Sequence, residues 1–258
     1  MPPTGLHRKD RADSLASPGS SNVRSAASAA LRSRLAMNTA GMTRDRALLS
    51  LRRTVLKAHT RLRPPQSQLT PDRLYAYLDC LWRCQQVPGA IVEVGCFRGG
   101  TTRIAAQFLA ETKISKRYIA IDTFKGFVDG HFQRDIDHGT KEATRSAFSR
   151  NSLPVVRRLL DEAGRENVEL LEADICEMPE SWLPDRISVC LLDVDLDVPT
   201  YEALRKVVAR LSVGGIVLVD DCHEDNAFAG ARVGYQRYVA EAGMGESYFM
   251  NMGMVSVP

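Results

Sequence analysis

The sequence predicts a doubly wound, mostly parallel α/β sheet that closes on an antiparallel C-terminal strand and is preceded by N-terminal helices. Three observations carry this. Short apolar, β-branched runs recur at Ala90–Val94, 118–121, Val168–Glu172, 189–192 and 216–219, with helix-type segments between several of them. Strands alternating with helices form parallel sheets, and runs without polar alternation suit strands buried on both faces. Third, four of the five runs are followed directly by glycine or aspartate, at the edge where such Rossmann-like sheets bind ligands.

In chain order, residues 1–42 are rich in Ser, Ala, Arg and Gly. They hold too little apolar surface to offset the entropy of ordering, so a disordered basic leader is expected. Residues 43–87 are read as a helical region. Leu48, Leu49, Leu51, Val55, Leu56 and Leu62 among Arg and Lys suggest a basic amphipathic helix over 45–62. A second helix starts at Thr70 as N-cap, with Pro71 in the first turn and Asp72 favouring the helix dipole. Its apolar stripe is Leu74, Tyr77, Leu78 and Leu81, and Pro88-Gly89 ends the segment. Residues 88–258 form the ligand-binding domain, with further helices over 101–112 and 200–211. The tail, 247–258, carries two short β-like runs around Gly253, read as the final antiparallel strands.

Composition narrows the classes. The chain has 258 residues, 44% hydrophobic and 25% charged, enough for one sizeable core. It shows neither a membrane-spanning run nor a secretory signal, so a cytoplasmic location is expected. The six cysteines form no C-x-x-C pair and are read as reduced, buried thiols. Residues 1–63 carry 13 basic and 3 acidic side chains, leaving 21 basic and 28 acidic in the rest. A net-acidic body argues against nucleic acid as the partner.

The first strand delivers Glu93-Val94-Gly95-Cys96-Phe97-Arg98-Gly99-Gly100, and the second ends in Asp122. Glycines at strand ends permit close backbone approach, and a terminal acid can accept hydrogen bonds from ribose hydroxyls. A dinucleotide site would need G-x-G-x-x-G to rest a pyrophosphate on a helix N-terminus. Here the order is G-x-x-x-G-G with an acid beside it, which suits the cationic methionyl end of S-adenosylmethionine and would repel pyrophosphate.

Asp193 ends the fourth strand, and Asp220 and Asp221 end the fifth. Neighbouring strands would gather these acids at one point, where mutual repulsion calls for a counter-charge. A divalent cation is the simplest agent, and oxygen-only ligands favour Mg²⁺. Such an ion would chelate a substrate hydroxyl and lower its pKa, with Asp193 as general base. The long connection 124–160 is read as a lid. Its His138 is the candidate to assist proton transfer, with His131 a lesser one, and His223, directly after the paired aspartates, is a candidate ligand or partner of the ligands.

Taken together, E-V-G-C-F-R-G-G, I-D-T-F-K-G-F, L-L-D-V-D-L-D-V-P-T and L-S-V-G-G-I-V-L-V-D-D resemble the macrocin O-methyltransferase family over roughly residues 88–225. These are class I methyltransferases acting on sugar hydroxyls of bacterial natural products. The resemblance implies that Glu93, Gly95 and Gly99 meet the cofactor's amino-acid end and Asp122 its ribose. It implies that Asp174 and Ile175 lie near the adenine. Asp193, Asp220 and Asp221 match the magnesium ligands, with Asp193 also the base. The chain departs from the family at Asp197 and Cys222, where aromatic residues are usual, and over 129–151.

The leading expectation is thus a Mg²⁺-assisted O-methyltransferase for a small hydroxylated molecule, a sugar or glycoside, with a homo-oligomer possible. The competing readings are a metal-independent methyltransferase, a nucleic-acid-modifying protein using the basic leader, and a non-catalytic interaction protein of the same fold.

Overall fold

The computed structural model describes residues 66–223 and 228–257, within a unit spanning residues 64–258. The expected leader and the helix expected over 45–62 lie outside the described residues.

Helix α1 (Pro71–Arg83) leads into strand β1 (Ala90–Val94), helix α2 (Gly100–Glu111) and strand β2 (Tyr118–Asp122). The long connection that follows holds helix α3 (Asp129–Ile136) and helix α4 (Leu153–Glu162) before strand β3 (Val168–Glu172). Strand β4 (Ile187–Leu192), helix α5 (Asp197–Val208), strand β5 (Leu211–Val219) and helix α6 (Gly230–Glu241) come next. Strands β6 (Tyr248–Phe249) and β7 (Met252–Ser256) finish the sheet. The strand order is β3-β2-β1-β4-β5-β7-β6. Strands β1 to β5 pair in parallel, while β7 runs antiparallel to β5 and to β6. The order reverses beside β1, the switch point at which doubly wound sheets open a ligand crevice.

Side-chain alternation along the strands divides the core into two layers. Ile91, Tyr118, Ala120, Leu191 and Leu218 face Tyr77 and Leu81 of α1, Ala105 and Leu109 of α2, and Val156 and Leu160 of α4. Val92, Val94, Ile121, Cys190, Leu192 and Val219 face Leu204 and Val207 of α5 and Tyr235 and Val239 of α6. The first layer is threaded by a polar chain. Tyr77 and Tyr118 share a hydroxyl–hydroxyl bond of 2.9 Å, and Tyr118 donates to Glu93 Oε2 at 2.5 Å.

Some boundaries differ from the sequence expectation. Strands β4 and β5 begin earlier than 189 and 216, and α5 begins at Asp197 rather than 200. Residue Leu196, the N-cap of α5, has no side-chain acceptor. Its cap is supplied from α3, where Asp135 Oδ1 accepts the Asp197 N–H at 3.0 Å. The six cysteines are unpaired and five are buried. No helix among the described residues is long and apolar enough to cross a membrane.

Candidate active site

A cavity of about 220 Å³ opens at the carboxyl ends of β1, β2, β4 and β5. Its lining includes Gly95, Asp122, Asp174, Ile175, Asp193, Asp195, Asp220 and Asp221, with Arg73 and four phenylalanines among the other residues.

The end of the cavity at β1 and β2 is organised by Asp122. Its Oδ2 accepts the N–H of Phe97 at 2.7 Å and its Oδ1 that of Phe124 at 2.6 Å. Both phenylalanines sit in the left-handed region, with φ of 46° and 52°. That conformation costs an L-residue roughly 1–2 kcal/mol, which charge-assisted bonds to one carboxylate offset. Burial raises the Asp122 pKa, and the backbone bonds pull it back. Gly95, at φ 91°, is required by packing: a Cβ there would meet the Asp193 carbonyl oxygen at 1.8 Å. The glycine lets the β1 loop close onto the end of β4, which sets Asp193 in the floor.

After β3, Asp174 accepts the Cys176 N–H at 2.9 Å and bonds His131 Nε2 at 3.1 Å. His131, Asp174 and Cys176 bring ligand-type atoms within 4.8 Å of one another. Buried Lys206 of α5 donates from Nζ to the carbonyls of Ile175, Cys176 and Met178 at 2.7, 2.9 and 3.1 Å, fixing this loop.

The acidic half gathers Asp193, Asp195, Asp220 and Asp221. Burial, then the charges of Asp220 and Asp195, hold Asp193 well above the usual carboxylate range. Burial and the Asp221 charge do the same to Asp195. Asp220 is pushed up to about 6 by burial and Asp221, with Arg73 opposing. Asp195 and Asp221 both have positive φ, 63° and 58°. Two strained acids at one site mark a constrained floor. The counter-charge is Arg73 of α1, whose Nη1 donates to Asp220 Oδ1 and Asp221 Oδ1, each at 2.7 Å. Its Nε donates to Thr70 Oγ1 at 2.9 Å, which sets the direction of the guanidinium.

The connection between β2 and β3 contributes Phe127 and Phe148 to an aromatic wall. Phe148 packs its ring 5.0 Å from Phe97, 5.4 Å from Phe127 and 6.1 Å from Phe228. These four rings line the cavity and keep its upper half apolar.

Of the residues anticipated from sequence, Gly95, Asp122, Asp174, Ile175, Asp193, Asp220 and Asp221 come together around this cavity. Four, Glu93, Gly99, His138 and His223, do not line it. Glu93 is buried, because strand alternation turns it toward α1 and α2, where Tyr118 takes its carboxylate. Gly99 caps α2 at φ 74° and faces Val156 and Leu160 of α4. His138 lies beyond the end of α3, with Nε2 3.6 Å from Asp197 Oδ2, because Asp135 anchors that end of the helix to α5. His131, in the first turn of α3, is the lid histidine that reaches the cavity. Asp197 is 1% exposed and ringed by Arg237, His138 and Arg134 at 3.2, 3.6 and 3.8 Å. Sequence reasoning missed Arg73, Asp195 and the phenylalanines. The D-V-D-L-D pattern carried a signal for Asp195; nothing local marks Arg73.

Fold and site together define a doubly wound sheet protein with a carboxylate-floored cavity at its switch point. The chain belongs to the macrocin-O-methyltransferase (TylF) family, whose model matches residues 68–249. It is 30% identical over 145 residues to the 8-demethyl-8-(2,3-dimethoxy-alpha-L-rhamnosyl)-tetracenomycin-C 4'-O-methyltransferase of Streptomyces olivaceus, covering 52% of this chain and 53% of that one. It is 29% identical over 144 residues to the demethyldecarbamoylnovobiocin O-methyltransferase of Streptomyces niveus, again covering 52% and 53%. The chain thus spans about half the length of the curated relatives it matches. Among solved structures, the O-methyltransferase NovP aligns with a TM-score of 0.61 at 21% identity, over 74% of this chain and 82% of that one. A calicheamicin methyltransferase aligns at 0.57 and 20%, over 71% and 78%. At these identities the likeness is one of fold.

Proposed function

We propose that this protein is an S-adenosylmethionine-dependent O-methyltransferase, assisted by Mg²⁺, that methylates a hydroxyl of a small molecule such as a sugar or glycosylated natural product. One observation carries the reading: Asp122 at the end of β2 and Asp193, Asp220 and Asp221 at the ends of β4 and β5 line a single cavity. A ribose acceptor and an acidic acceptor site within one cavity would let a cofactor and a hydroxylated substrate meet there. The Streptomyces olivaceus relative is named as acting at the 4' oxygen of a rhamnosyl tetracenomycin, which supports a sugar hydroxyl as acceptor. Six unpaired cysteines suit a reducing, cytoplasmic setting.

The residues fit both groups. Each Asp122 oxygen accepts one backbone N–H and keeps a lone pair for a ribose hydroxyl. Asp174 and Ile175 would border the adenine, and the phenylalanine wall would exclude water. The oxygen-only set of Asp193, Asp220 and Asp221 suits a hard divalent ion. When bound, S-adenosylmethionine supplies an electrophilic methyl on sulfur, and the divalent ion supplies a Lewis acid that lowers a hydroxyl pKa. Asp193 accepts the hydroxyl proton. Asp220 and Asp221 would hold the acceptor end of the site, and Phe97 and Phe148 would pack against the bound molecules.

The test is calorimetric titration with S-adenosylmethionine, in Mg²⁺ and in EDTA, on wild type, Asp122→Ala and Asp193→Ala. Cofactor heat lost in Asp122→Ala and Mg²⁺ heat lost in Asp193→Ala are the expected results. Cofactor binding without any Mg²⁺ heat would keep the methyltransferase and remove the metal. A folded wild type that binds no cofactor would overturn the reading.

A further inference from the structure

We propose that Arg73 is an internal stand-in for the divalent cation. Its guanidinium and the ion compete for Asp220 and Asp221, and the ion enters only when Arg73 lets go. The inference rests on the reading that these aspartates hold a cation, and adds a residue from outside the sheet to it.

The geometry points to direct competition. One nitrogen, Arg73 Nη1, donates at 2.7 Å to Oδ1 of both adjacent aspartates. All three side chains are nearly closed to solvent, at 12%, 6% and 12% exposure. A hard cation must coordinate oxygens of the same carboxylates at close range. Two positive charges would then share one small, poorly screened space, so occupancy by one opposes the other. Thr70 holds Arg73 in this position, its Oγ1 accepting the Nε–H while its own hydroxyl donates to Asp72. The guanidinium is a weakly hydrated cation that can bridge carboxylates, whereas a divalent ion carries twice its charge and recruits Asp193 as well. The exchange also links α1 to the catalytic floor, because Arg73 lies in the first turn of that helix.

In a protein without ion, Arg73 offsets the repulsion of the acidic floor. Removing it should therefore do two opposite things: destabilise the ion-free fold and tighten ion binding. A purely structural arginine would do the first without the second.

The experiment is calorimetric titration with Mn²⁺, alongside thermal unfolding with and without Mn²⁺, on wild type, Arg73→Gln, Arg73→Lys and Arg73→Gln/Asp193→Asn. Freeing carboxylates from a charge-assisted pair should tighten Mn²⁺ binding in Arg73→Gln by about ten-fold or more. Its ion-free Tm should fall, and Mn²⁺ should raise it by more than in wild type. Arg73→Lys keeps the charge but loses the fork, and should bind with intermediate affinity; it carries the test if Arg73→Gln does not fold without ion. Equal or weaker Mn²⁺ binding in the folded Arg73 variants, lost on adding Asp193→Asn, would overturn the competition while leaving the metal reading intact. No Mn²⁺ binding in any variant, or binding indifferent to Asp193→Asn, would overturn both.

Discussion

Asp135 accepts the backbone N–H of Asp197 at 3.0 Å, and both side chains are buried. One residue lies in the connection between β2 and β3, the other in the first turn of α5. The bond therefore ties the cavity's cover to the helix that follows the acidic floor. Asp135→Ala would leave that N–H without a partner in a closed space, at a cost of about 1–3 kcal/mol. Gly230 packs on the same point, where a Cβ would lie 1.6 Å from Asp135 Oδ2. Gly230→Ala should then destabilise by roughly 2–3 kcal/mol. Both variants should speed hydrogen exchange over residues 129–150, measured by mass spectrometry. Unchanged exchange there would show that the tether does not hold the cover.

Stability should fall with rising pH because of Glu93. Burial pushes its pKa from 4.5 to about 7, partly offset by the Tyr118 hydroxyl. Between those values the folded state holds a proton that the unfolded chain has released, so unfolding becomes easier as pH rises through the window and levels off above it. Glu93→Gln keeps an acceptor for Tyr118 and removes the titration. It should lessen the slope, leaving the part that the raised Asp135 and Asp220 contribute, and stabilise the fold at pH 8, read by urea unfolding across pH. An unaltered slope in the variant would refute the assignment.

Phe148 touches three other rings of the cavity wall, so its loss opens that wall. Phe148→Ala should weaken S-adenosylmethionine binding by roughly ten-fold, on the scale of aromatic contacts. Calorimetry measures this directly. Full affinity in the variant would mean that the wall serves the acceptor alone, which a substrate titration would then reveal.

Gly95 carries the closest approach at the floor, 1.8 Å from a hypothetical Cβ to the Asp193 carbonyl oxygen. Gly95→Ala also imposes a Cβ at φ 91°. The variant should be destabilised by more than about 2 kcal/mol and should lose Mg²⁺ heat along with Asp193's position. A stable variant with normal Mg²⁺ heat would break the link between that loop and the floor.

The strands were largely legible. β1 and β3 agree with the sequence expectation, since short, mostly apolar runs read as strands even where Glu93 or Glu169 interrupts them. β4 and β5 extend further toward their N-termini than expected, because Ser188, Gly214 and Gly215 interrupt the apolar pattern while pairing continues around them. The start of α5 was not legible. Its cap comes from Asp135, 62 residues away, so no local residue announces it. In the site, acids ending strands stood out, whereas Glu93, Gly99 and His138 show the limit of motif reading: proximity in sequence does not say which face a side chain takes.

The sequence by itself determined the direction of the strands and the residues that crown them: Gly95, Asp122, Asp193, Asp220 and Asp221. Backbone stereochemistry and apolar patterning act over a few residues, so they are written locally. Tertiary structure alone decided that Arg73 reaches the acidic floor across 147 residues, that Asp135 caps α5, and that four phenylalanines line one cavity. Charge pairing and ring packing depend on distance in space, and only the folded chain sets that distance.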